Sequence, residues 1–160
     1  MKKNRLILLF FIAMISLVAC TNGQSDEPIF DKNERSSSEL PTLKVYYEND
    51  FIEAEIGTSS WTINNSDGTK TSIESDTAGP TELVTGVSAL KVSPESTINL
   101  DFSNKPDEVI VNIWEENEQL EQDSTNMEIV LPDLEGVLIY EVIATWEQGT
   151  VSYAFSVEVE

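Results

Sequence analysis

An alternation of period two governs the C-terminal end of the chain. Leu138, Tyr140, Val142, Ala144 and Trp146 fall on one side of a segment running from Val137 to Trp146. Val151, Tyr153, Phe155, Val157 and Val159 repeat the pattern, with Ser152, Ala154, Ser156 and Glu158 opposite. A strand turns successive side chains to opposite faces, so this period specifies a sheet with one buried face. Gln148-Gly149 sits between the two runs and predicts a tight hairpin.

The same period recurs upstream. Leu43, Val45 and Tyr47 alternate with Lys44 and Tyr46, and residues 51–56 continue in strand style. Trp61 to Ile63 and Thr69 to Ile73 flank Asn64 to Gly68, a hairpin closed around Asp67-Gly68. Leu90 to Val92 is a short strand; Ile98, Leu100 and Phe102 form another; Val109, Val111 and Ile113 share a face of a third. Glu116-Asn117 predicts a turn, and Met127, Ile129 and Leu131 alternate beyond it. Residues 75–88, with Gly79-Pro80 and Gly86, read as irregular. No mature segment has a helical period, and no internal repeat is present. Short strands at a spacing of roughly 8–12 residues predict an all-β fold, a sandwich of antiparallel strands with an extra N-terminal hairpin.

The first nineteen residues have another character. Lys2, Lys3 and Arg5 precede an apolar run from Leu6 to Val18 that only Ser16 interrupts. A signal peptide needs an apolar core of about 7–15 residues, whereas a membrane-spanning helix needs about 20. The run closes on Leu17-Val18-Ala19-Cys20. That tetrapeptide resembles the lipobox of bacterial lipoproteins, which implies cleavage before Cys20 and attachment of lipid, with palmitate-type acyl chains, to it. The expected organisation is a leader over 1–19, an acylated tether over 20–41 and one sandwich domain over 42–160. The tether is polar and holds Pro28, Pro41 and three consecutive serines. As a flexible chain its reach is roughly 25 Å.

Two further resemblances follow. The segment Gly136 to Val142, with Ala144-Thr145-Trp146, Gly149, Tyr153, Phe155 and Val157, is similar to the last two strands of immunoglobulin-like sandwiches. Such domains place a corner-closing tyrosine where this chain has Leu138, and antibody domains place a cysteine where it has Tyr140. The whole chain resembles small lipoproteins of Bacillus-type Gram-positive bacteria. Ser59-Ser60-Trp61, Asp76-Thr77 with Pro80, and Phe102 with Pro106 and Trp114 carry that likeness. It implies a compartment, the extracytoplasmic side of the cell membrane, and a fold, but no activity.

Composition removes several chemistries. Cys20 is the one cysteine and histidine is absent, so intrachain disulfides, Ser-His-Asp and Cys-His catalysis, and His-ligated metal sites are excluded. Removal of residues 1–19 takes away three of nine basic residues and no acidic ones, moving the formal charge from −20 to −23. So acidic a surface repels nucleic acid. Aligning Gly68 with the sixth position of a calcium loop puts Ile63 first, and Ile63 has no side-chain oxygen. No metal or cofactor is expected, and no carboxylate pair can be singled out for catalysis.

The expected function is therefore a lipid-anchored, non-catalytic binding or accessory module, touching the membrane through Cys20 and an envelope protein or peptide through its domain. Trp61, after a small-residue approach, and Trp114, which shares a strand face with Ile110 and Asn112 and is followed by glutamates, are the candidate ligand contacts, because hot spots favour Trp and Tyr. The alternative is an inhibitor presenting residues 75–88 to a protease, or an envelope enzyme that uses carboxylates.

Overall fold

The alternating segments pair into two sheets in a computed structural model, which describes residues 39–115 and 118–160. The leader, Cys20, most of the tether and the Glu116-Asn117 turn lie outside the described residues. In chain order the elements are β1 (Leu43–Tyr47), β2 (Asp50–Glu53), β3 (Glu55–Asn64), β4 (Lys70–Ser75), α1 (Pro80–Leu83) and β5 (Leu90–Val92). There follow β6 (Thr97–Phe102), β7 (Glu108–Glu115), β8 (Glu118–Gln122), β9 (Ser124–Thr125), β10 (Glu128–Val130), β11 (Gly136–Trp146) and β12 (Gly149–Val159). The smaller sheet has the order β2-β1-β6-β10-β9; the larger runs β4-β3-β12-β11-β7-β8, with β5 beside β12.

The two sheets pack face to face as the expected all-β sandwich. Leu43, Val45, Ile98, Leu100 and Ile129 of the smaller sheet meet Val111, Leu138, Tyr140, Val142, Val151, Phe155 and Val157 of the larger. These are the alternate positions of each strand, so the buried face follows from the period. Four rings run in edge-to-face contact at one end. Trp61 lies 5.4 Å from Trp146, Phe102 lies 5.9 Å from Trp146, and Phe102 lies 5.8 Å from Tyr153.

The chain changes sheet in a single residue twice. Ala54 separates β2 from β3, and Asp123 separates β8 from β9. A continuous strand over 51–56 is thus a corner, in which Ala54 is buried and donates its N–H to Leu43 O at 2.9 Å.

Not every pair is antiparallel. β3 pairs with β12 only as far as Ala154, and β5 runs parallel to the remainder, Val157 to Val159. Lys91 of β5 bridges Glu160 at 2.9 Å and Glu158 at 3.6 Å. Residues 75–88 contain the one-turn helix α1, with Pro80 at its start. One turn is too short to show a helical period. It packs on β12, β11 and β3, on the outer side of the larger sheet. Ala154 and Ser156, on the face expected to be polar and open, are consequently buried.

Leu138 makes no corner bond, but Tyr153 closes a different one. Its buried hydroxyl donates to Pro41 O at 2.7 Å and ties the chain two residues before β1 to β12. Tyr140 is fully buried and stacks on Phe155 at 5.3 Å, yet its hydroxyl has no partner among the described residues. Burial pushes its phenol from 10.0 up to about 12. The unfolded chain releases this proton first as pH rises past 10, so stability declines from there towards the folded value. Tyr140→Phe should raise stability at neutral pH by about 1 kcal/mol, since it removes a buried, unpaired hydroxyl. It should also make the alkaline decline shallower by one proton. Urea melts at several pH values between neutrality and pH 11 test both effects.

Candidate functional site

Trp61, a candidate contact whose exposure the sequence leaves open, does not face solvent. Its ring is 4% exposed and packs edge-on against Trp146 in the core. The cause is register. Trp61 pairs with Gly149, which opens β12, and lies on the inner face of β3 with Ser59.

Trp114 lies on the outer face of the larger sheet and is half-buried. Its Nε1 donates to Glu141 Oε2 on β11 at 3.1 Å, so its polar edge is already engaged. Asn112 sits on the same face opposite Glu141, is 1% exposed, and has an unpaired Nδ2 among the described residues. Ile110 continues the row and remains exposed. Trp61 and Trp114 therefore lie on opposite faces of one sheet, and the fold does not bring them together.

A different pair of aromatics is presented to solvent. Tyr46 and Phe51 are register partners across the β1–β2 hairpin, with ring centroids 5.2 Å apart. Phe51 is 51% exposed. Alternation turns Leu43 and Val45 inward, so Lys44 and Tyr46 point outward, and Phe51 follows Tyr46. Lys44 Nζ lies 4.9 Å from the Phe51 ring centroid. Tyr46 also pairs with Asn99 of β6, which pairs with Glu128 of β10. One row across the outer face of the smaller sheet therefore reads Phe51, Tyr46, Asn99, Glu128. A second row reads Glu53, Lys44, Asp101.

Asn99, Asp101 and Glu128 are exposed, and no hydrogen bond or ion pair among the described residues engages their side chains. This face combines apolar ring surface with unengaged acceptors. The outward position of Tyr46 is readable from the alternation. Its pairing with Phe51 depends on the turn at Glu48-Asn49, where Glu48 has a φ of 52°.

Other candidate features are structural. Asp67 Oδ1 accepts from Thr69 N at 2.9 Å and from Thr69 Oγ1 at 2.6 Å, which lowers its carboxyl below the ordinary 3.8. Asn65 Nδ2 donates to Thr69 and Thr71, and Gly68 takes a φ of 83°. The loop polar groups thus hold a hairpin turn. In residues 75–88, the segment an inhibitor would present, Pro80 and Val84 are buried against the larger sheet while most of the remainder is exposed. A depression of about 400 Å³ lies between β3 and β4, lined by Thr58, Ser59, Ser60, Glu74, Asp76 and Thr150 among others. Ser59 Oγ is buried there without a partner among the described residues, and neither carboxylate bonds to it.

Comparison with family models, curated proteins and solved structures finds no match to this chain.

Proposed function

We propose that this chain is an exported, lipid-anchored binding module that presents the outer face of its smaller sheet to an envelope partner. The leader and the Leu17-Val18-Ala19-Cys20 pattern support anchoring through Cys20. The last two strands resemble the closing hairpin of immunoglobulin-like sandwiches. The observation that carries the binding role is the outward-facing Tyr46–Phe51 pair, half-buried at Tyr46 and exposed at Phe51, set in one row with Asn99 and Glu128.

The two parts of the reading are separable. Labelled palmitate should enter the chain in cells of its source, and Cys20→Ala should abolish the label. An unlabelled, unprocessed chain in the cytosol would remove the anchor. For the face, the chain should retain a specific component of isolated envelopes, and Phe51→Ala should weaken retention at least about tenfold, as expected of a central aromatic contact. Equal retention by Phe51→Ala and the parent would remove the face.

A further inference from the structure

We infer that the Tyr46–Phe51 face is a cation-recognition surface for an extended Lys- or Arg-bearing segment of a partner protein, and that Lys44 is its resident competitor. This rests on the binding-module reading above and specifies its ligand. The first observation is Lys44 itself. It is flanked in its row by Glu53 and Asp101, yet its ammonium lies over the Phe51 ring at 4.9 Å. No ion pair among the described residues holds it to either carboxylate. The ring face of this pair thus already accepts an ammonium group, through the electrostatic attraction of a cation to an aromatic face.

The second observation is charge. The two rows hold Glu53, Asp101 and Glu128 against Lys44 alone, on a chain of net charge −20. An anionic partner is repelled by this face, whereas a cationic one is steered to it. Unengaged acceptors at Asn99, Asp101 and Glu128 suit donors such as ammonium and guanidinium groups, which have N–H groups and no acceptors.

The third observation is reach. Phe51 and Glu128 lie three strand spacings apart, roughly 14 Å. About four residues of extended chain at roughly 3.3 Å each cover that span, so one segment can place one cation over the ring pair and another by Glu128.

The test uses the full-length chain immobilised on a sensor, with hexalysine as probe and hexaglutamate and a neutral chitin tetramer as controls. Hexalysine should bind in a salt-sensitive manner, and the controls should not. Long-range attraction alone would give the same result, so one charge-neutral variant and one charge-matched pair decide. Phe51→Leu keeps an apolar side chain but loses the aromatic face; it should weaken hexalysine binding by roughly 2- to 5-fold, the size of an exposed cation–π contact. Lys44→Gln should strengthen binding more than Lys105→Gln, which makes the same charge change elsewhere. Binding unaltered by Phe51→Leu, or equal gains from the two lysine variants, overturns the proposal. So does preference for the chitin tetramer. In either case, envelope retention that still depends on Phe51 leaves the binding-module reading standing and only the ligand class wrong.

Discussion

Gly149→Ala is expected to destabilise the domain by more than about 4 kcal/mol, beyond the range of ordinary single substitutions. Gly149 closes the β11–β12 hairpin against Trp146 and pairs on its other side with Trp61 of β3. A Cβ there would collide with the carbonyl oxygen of Ser60 and would come within 2.9 Å of its carbonyl carbon and 3.1 Å of Trp61 Cα. All three atoms belong to backbone, so no side-chain rotation can relieve the overlap. The φ of 151° adds a conformation that side-chain-bearing residues rarely adopt. Gly68→Ala is the control. Gly68 also has positive φ, but a Cβ there meets nothing within 4 Å. Its expected loss is the left-handed penalty alone, about 1–2 kcal/mol. Urea unfolding of both variants measures the difference. Equal losses would mean that close approach of β3 and β12 at this hairpin is not what requires the glycine.

This glycine also shows how far sequence carries the fold. Period two in residues 138–159 identifies the inner face of the last two strands residue for residue, because every alternate position there is buried. The pattern does not say which sheet a strand joins. Residues 51–56 read as one strand, but the buried Ala54 turns the chain from one sheet to the other. Glu118–Gln122 has one apolar residue, Leu120, and as an edge strand needs no alternation to hold its place. The candidate face is hidden for a related reason. Tyr46 and Phe51 meet through a local hairpin, but Asn99 and Glu128 join them only through pairings between strands distant in sequence, which no local pattern encodes. The small-residue approach to Trp61 reads as a mobile loop, yet Gly57 to Ser60 is strand. Gly57 fits there because a Cβ would collide with Ser152 Oγ and would also meet Leu83 of α1.

Trp146→Ala and Trp61→Ala should each cost about 3–5 kcal/mol, the usual loss for truncating a buried large aromatic. The two rings differ in one respect, and that difference separates packing from hydrogen bonding. Trp146 Nε1 donates to Asn104 O at 3.1 Å, whereas Trp61 Nε1 is buried without a partner among the described residues. Phenylalanine keeps most of each ring contact and removes the N–H. Trp146→Phe leaves the Asn104 carbonyl short of a donor and should therefore lose about 1–2 kcal/mol more than Trp61→Phe. Thermal and urea melts of the four variants give both comparisons. The same variants bear on recognition. Trp61 lies in the core, so Trp61→Phe, once folded, should retain envelope partners as the parent does. Phe51→Ala should keep the parent's stability within about 0.5 kcal/mol, as expected of an exposed side chain, and lose retention. If Trp61→Phe instead loses retention at full stability, the binding surface is not the outer face of the smaller sheet, because the Trp61 ring reaches no part of that face.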